Sequence, residues 1–268
     1  MGEGGEDFEL RRLNGVASVA PREGSSTGRS TLEYAAPIWS PLISDTNWQR
    51  LQSCQNQALR AATGCLAMTG TDHLHKECKI LPVRIHSEMV TKQFAAACFQ
   101  NSHPGNKHIN LPKPARNLKP TLMRHEDEVA ELFRSGSYKE NLKKIHTTTV
   151  KHTLATYSEN RVLQAQAPEI HKEEKTLPRD TRSQLARLRS GFARQLKSYL
   201  SRIDQSVRDE CPDCGCTPHD TVHLFNCTAN PTTLSPLDLW KNPRRCAEFL
   251  KLLPEDWYEG SEAAEDPG

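Results

Sequence analysis

The chain has 268 residues, room for one ordinary domain or two small ones, with 36% hydrophobic residues, 6% aromatics and 17 prolines. That composition is too lean for one large compact core and points to a mainly α fold, with small helical groups joined by long polar linkers. A formal net charge of +2 excludes a uniformly basic nucleic-acid binder, so any such function must reside in a local concentration of charge.

Residues 1–30 are rich in Gly, Ser, Glu and Arg, lack helical or strand periodicity, and read as a disordered leader. They carry neither the basic start nor the apolar run of a signal peptide, and the strongest apolar run, Phe94 to Phe99, is too short to span a bilayer. No membrane partner is expected. The nine cysteines therefore belong in a reducing compartment, nucleus or cytoplasm, and Asn226-Cys227-Thr228 is a chance match to a glycosylation triplet. Gly24-Ser25-Ser26-Thr27-Gly28 fits the nucleophile-elbow pattern, but the strand and helix that such an elbow needs are missing around it.

Residues 31–101 read as a helical segment. Leu32 to Pro41 is broken into short pieces by Pro37 and Pro41. A helix capped by Ser44 or Asp45 follows, with Trp48, Leu51, Gln55, Ala58, Leu59 and Ala62 on one face and Gly64 as its stop; Gln55 is the polar interruption, placed at the stripe's edge. Thr71 or Asp72 caps a short stretch. Pro82 then starts a second helix at its first position, with Ile85, Met89, Val90, Phe94, Ala97 and Cys98 turned inward. Cys54, Cys65, Cys78 and Cys98 have no close Cys partner and read as small buried residues.

A Pro-rich linker covers 102–120 and a helical connector 121–178, with helices expected from Thr121 to Arg134 and from Lys139 to Val162. The last organised segment, 179–254, combines a basic helix, a Cys-Cys-His-Cys zinc module and a final helix begun by Pro243, with Cys246, Phe249, Leu250 and Leu253 inward. In the basic helix Leu185, Leu188, Phe192, Leu196, Tyr199, Leu200 and Ile203 keep a helical rhythm that Gly191 interrupts by a kink, a break or a close approach. Arg179, Arg182, Arg187, Arg189, Arg194, Lys197, Arg202 and Arg208 face only Asp180 and Asp204, whereas 255–268 is an acidic disordered tail.

Cys211-Pro212-Asp213-Cys214, eight residues, His223, three residues and Cys227 supply three thiolates and one imidazole in a short span. That set suits a closed tetrahedral zinc site with no position left for water; Cys216 and His219 are competing ligands. His223 and Cys227, four apart, fit one helical turn, with Leu224 and Phe225 covering the metal. Two other metal chemistries fail on spacing. Val129 stands where H-E-x-x-H starting at His125 needs its second histidine, and His86-Ser87-Glu88 lacks the P-C-x-x-C partner of a zinc deaminase.

Leu32 to Pro41, the block Gln57 to Gly64, Leu185-Ala186-Arg187-Leu188-Arg189-Ser190-Gly191, Tyr199 to Ile203 and the CPDC and HLFNC pieces occur together in one order. In that order, from about Leu32 to Leu253, the chain resembles the C-terminal region of reverse transcriptases from jockey-like non-LTR retrotransposons. The resemblance implies a thumb-like helical part over 31–101, zinc ligation by Cys211, Cys214, His223 and Cys227, and a basic block around Arg187 and Arg189 that handles RNA or DNA. The Tyr/Phe-x-Asp-Asp block of the polymerase palm is missing, and Phe192 stands where many relatives place a histidine.

The expectation is thus a transposable-element remnant that is not an enzyme, binding RNA or DNA through Arg187, Arg189, Arg194, Lys197 and Arg202, with a full-length reverse transcriptase as a candidate protein partner. Phe225 and Tyr199 read first as core residues and second as platforms for an unpaired base. The alternative is a degenerate or protein-interaction module whose zinc only replaces a missing core.

Overall fold

The computed structural model describes residues 34–99, 103–104, 129, 137–255 and 257. The expected leader, the Leu32-Glu33 start of the first block, nearly all of the linker, the helix from Thr121 to Arg134 except Val129, and nearly all of the acidic tail lie outside them. The described residues are mainly α-helical; their only β pairing is an isolated bridge between Asn160 and Ala165. Two compact units form, each from two stretches of chain: 1–58 with 79–157, and 59–78 with 158–268. The helical segment expected over 31–101 is therefore shared between them.

The first unit holds α1 (Ala36–Trp39), most of α2 (Asp45–Thr63), α4 (Val83–Cys98) and α5 (Tyr138–Thr156). Trp39 and Trp48 stack at a tilt, 5.7 Å between rings. Pro82 is the residue before α4, not its first, and offers no side-chain cap. Gln55 fills that gap: its Oε1 accepts the Val83 N–H at 2.8 Å, and its Nε2 donates to the Leu81 carbonyl at 3.0 Å. Gln52 Oε1 accepts the same N–H at 3.1 Å, so two polar side chains of α2 satisfy this helix-start donor.

The buried side of α4 is rotated from the expected one. Met89 and Cys98 are inside, but Phe94 is exposed, and Val83, Ser87, Thr91, Ala95 and Ala96 complete the buried face. Ser87 and Thr91 leave little bulk between α4 and the helices packed on it, α1 and α5, and Thr91 hides its hydroxyl on the Ser87 carbonyl at 2.8 Å. Helix α5 starts one residue before the expectation and stops at Thr156. A capping box fixes its start, with Ser137 Oγ accepting from Glu140 N–H and Glu140 Oε2 accepting from Ser137 N–H at 3.0 Å.

The second unit holds the larger core. Its elements are α3 (Thr71–Cys78), a 3-10 turn at Lys172–Thr176, α6 (Arg179–Ser190), α7 (Lys197–Ile203), α8 (Thr221–Asn226), α9 (Asp238–Lys241) and α10 (Pro243–Phe249). Leu185, Leu188, Phe192, Leu196, Phe225, Leu239, Trp240 and Cys246 form its centre. Gly191 resolves as a break: at φ 72° it caps α6, and the chain restarts as α7 six residues on. Gly64, at φ 71°, ends α2 as expected, and it has a second reason to be glycine. A Cβ there would lie 2.7 Å from Ser183 Cβ.

Arg189 is fully buried inside this unit, which corrects its expected place on a basic surface. Its Nε and Nη2 both donate to Glu77, its Nη1 and Nη2 to Glu174 at 2.6 and 2.9 Å, and Nη1 also to the Leu239 carbonyl at 2.9 Å. Every N–H of the guanidinium is thereby used. Burial alone would raise the Glu77 carboxyl, but Arg189 overrides it and holds Glu77 below the usual carboxylate range. Glu174 goes the other way, pushed up by burial that the shared cation does not fully offset.

Two predictions follow from these contacts. Arg189→Met strands two buried carboxyl groups and should lower unfolding free energy by about 3–5 kcal/mol in urea titration, with much of the loss recovered when Glu77 and Glu174 are also made apolar. Gly64→Ala should cost about 1–3 kcal/mol in the same assay, from the left-handed backbone and the Ser183 clash together, and Ser183→Gly should return part of it.

Candidate metal centre

The two cysteines of the CPDC piece are brought close by a tight turn. Gly215 N–H donates to the Cys211 carbonyl at 2.9 Å, Cys211 N–H donates to the Cys216 carbonyl at 2.9 Å, and Gly215 takes φ 72° to close the bend. The other two ligand candidates come from α8. Asp220 caps that helix by accepting the His223 N–H at 2.9 Å, His223 sits in its first turn, and Cys227 follows its last residue. Thr221 fastens α8 to the end of α6 by donating from Oγ1 to the Leu188 carbonyl at 3.0 Å.

These local constraints converge. One ligand atom from each of Cys211, Cys214, His223 and Cys227 lies within 4.8 Å of every other, a group that can hold a metal ion. Cys211 and Cys227 sulfurs are 3.9 Å apart, and Cys214 Sγ is 3.3 Å from His223 Nε2. A tetrahedral ion about 2.3 Å from each sulfur and about 2.0 Å from nitrogen sets sulfur–sulfur edges near ~3.8 Å and sulfur–nitrogen edges near ~3.5 Å. The two measured edges fit that ion. Burial disfavours the Cys211 thiolate, yet the backbone N–H groups of Cys214 and Asp213, and then the His223 ring, bring its thiol down to about 6. Cys227 moves upward, burial being the first cause.

The competing ligands have other places. Cys216 is exposed and stands outside the group, its sulfur turned to the Cys214 carbonyl. His219 is buried and serves α7: its Nδ1 accepts the Lys197 N–H at 3.0 Å, and its carbonyl oxygen accepts the Ser198 N–H at 3.2 Å. Burial, and then the neighbouring His223, hold the His219 imidazole below its ordinary range, in the neutral form that such an acceptor requires. Asp209 Oδ1 accepts the His219 N–H at 2.9 Å and completes the clasp between the loop and the start of α7. The sequence carried a weak signal for this role, because α7 begins after Leu196, which has no side chain able to cap it.

Phe225 belongs to the hydrophobic core, 6.1 Å from the Phe249 ring, with Leu224 packed against that core. Tyr199 is also buried, edge-on to Phe192 at 6.3 Å. Neither ring presents a free face for a base. Of the five basic residues expected at a nucleic-acid surface, Arg194 and Arg202 are exposed and Lys197 is half-buried at the start of α7. Arg187 donates from Nε to the Gly64 carbonyl at 2.6 Å, and Arg189 is interior. His86, Ser87 and Glu88 lie in α4, apart from the metal group. No described helix is long and apolar enough to cross a membrane.

No protein-family model, curated protein or solved structure matches this chain.

The ligand set is tested by native mass spectrometry of purified chain. One metal ion per chain is expected for the unchanged protein, for Cys216→Ser and for His219→Gln, whereas Cys211→Ser and Cys227→Ser should lose it. Retention by both of the last two variants would refute the assignment.

Proposed function

We propose that this chain is a non-catalytic nucleic-acid-binding protein whose basic surface is ordered by one zinc ion, akin to the C-terminal region of jockey-like retrotransposon reverse transcriptases. The observation that carries the reading is the clasp between the metal loop and the basic elements. His219 and Asp209 tie the loop that holds Cys211 and Cys214 to the first N–H groups of α7, the helix that bears Lys197 and Arg202. Metal binding and the presentation of these cations are therefore mechanically linked.

Zinc is the ion of choice because three thiolates and one imidazole, gathered within 4.8 Å of one another, fill the four positions of a tetrahedral ion and leave none open. A closed site organises backbone and activates no water, which agrees with a binding role. The exposed Arg194 and Arg202 and the half-buried Lys197 supply charge for phosphates with little base choice. RNA and DNA strands both fit that chemistry.

The test uses the whole chain, because residues 59–78 fold with 158–268. Fluorescence anisotropy with single-stranded RNA and DNA oligonucleotides at several salt concentrations should give steep salt dependence for the zinc-loaded protein. Chelation should abolish binding, and Arg194→Ala and Arg202→Ala should each reduce the slope of log affinity against log salt by about 0.7. Because protons compete with the metal for the thiolates, zinc affinity should fall as pH is lowered, and nucleic-acid binding with it. Oligonucleotide binding that ignores chelation and both variants would refute the zinc-ordered basic surface, and no binding at all would leave the zinc purely structural and the chain a degenerate or protein-interaction module.

A further inference from the structure

Arg161 lies outside every segment that the sequence marked as basic, yet it is placed with unusual care. It sits in the short turn closed by the Asn160–Ala165 bridge. Asn160 is buried and rigidifies that turn: its Oδ1 accepts the Val162 and Leu163 N–H groups at 2.9 and 3.1 Å, and its Nδ2 donates to the Arg189 carbonyl at 3.0 Å. The aliphatic stem of Arg161 runs over Gly191, where a Cβ would come within 3.4 Å of Arg161 Cδ. Its guanidinium then lies over the Phe192 ring, 4.9 Å from the centroid.

Arg202 reaches the same ring from α7, 5.8 Å from its centroid. Two guanidinium groups thus share one aromatic platform, and among the described residues neither forms an ion pair. The acid nearest in effect is Asp220, which spends its Oδ1 on capping α8. Burial and then the Arg202 charge hold Arg161 below its usual range, with the Asp220 carboxylate acting the other way more weakly. With both side chains exposed, water screens this repulsion and the arrangement costs little in the empty state. It becomes favourable when an anion with several acceptor oxygens bridges the two cations, and planar guanidinium groups suit phosphate oxygens in this way.

We infer that Arg161 and Arg202, seated together on Phe192, form a clamp for a phosphodiester group of a nucleic-acid strand. This rests on the nucleic-acid reading above and adds to it a residue and a geometry. Both guanidinium carbons lie within 5.8 Å of the ring centroid, so the clamp depends on guanidinium shape as well as on charge.

The experiment measures anisotropy of a labelled single-stranded RNA on the zinc-loaded whole chain, with Arg161→Gln, Arg161→Lys, Arg202→Gln and the Arg161/Arg202 double glutamine variant. Lys151→Gln, at an exposed position of α5, serves as a control for net charge. Arg161→Gln should weaken binding by roughly tenfold and reduce the salt slope by about 0.7, while Lys151→Gln changes little. Arg161→Lys should recover less than half of the loss, and the double variant should lose less than the two single losses combined. Phosphorus NMR with inorganic phosphate is run beside it. If the unchanged protein binds RNA but Arg161→Gln or Arg161→Lys binds as well as it does, the clamp is overturned and the broader reading stands. If the unchanged protein binds no RNA, both fall; if Arg161 affects inorganic phosphate alone, the site is for a small anion and the strand clamp is overturned.

Discussion

A guanidinium removed from water must find an acceptor for each of its N–H groups and a negative charge to hold its own, and Arg189 finds both within one unit of this protein. Glu77 comes from α3, Glu174 from the 3-10 turn before α6, and the Leu239 carbonyl from α9, so one side chain fixes three elements against the helix that carries it. Its own carbonyl accepts from Asn160, which sets the turn that bears Arg161. A buried ion pair is weak evidence for net stability, because desolvation offsets most of the attraction. What it does supply is a strict penalty for any other arrangement. Displacing one of these elements leaves a buried charge without a partner, a far larger loss than an equivalent slip between two apolar surfaces.

The imbalance of two carboxyl groups on one cation is accommodated by splitting their behaviour. Both carboxyl groups are paired at two points; Glu77, paired with Nε and Nη2, stays ionised, with His73 Nε2 3.7 Å away. Glu174, with burial dominant, binds its proton more readily. The sign of the pH effect differs accordingly. Glu77 adds stability above the carboxylate range of the unfolded chain and loses it as pH falls through its depressed value, whereas stability due to Glu174 diminishes as pH rises through its elevated one.

The helices with strong periodicity or a start signal are legible from sequence: α2, α4, α6 and α10 lie where spacing and caps put them, within a residue or a few, whereas α5 stops at Thr156, six residues before the expected Val162. The four metal candidates were legible too, because Cys-x-x-Cys with a His and a Cys at short range constrains geometry locally. What escaped is what depends on residues distant in sequence. The Glu77 partner of Arg189 is 112 positions away, and no periodicity in α6 distinguishes an arginine aimed inward from one aimed at solvent. Gln55 looked like an edge residue because its role, at a helix start 28 positions on, belongs to another element. The buried face of α4 follows fit rather than size: Ser87 and Thr91 are inside where the bulkier Phe94 is not.

Arginine density therefore misleads unless each residue is sorted by what already binds it. Along 179–208 the run of cations suggests one continuous charged face, yet Arg189 is neutralised in the core and Arg187 is held on the Gly64 carbonyl. Arg194 before α7 and Arg202 in its last turn are exposed, Lys197 at its start is half-buried, and Arg161 arrives from a different turn. Lys197 lies where the metal loop is clasped to α7, and Arg161 and Arg202 both lie over the Phe192 ring. An electrostatic surface built in this way draws on folding twice: the interior ion network removes some of the charges and positions others, and the metal loop holds the helix from which they project.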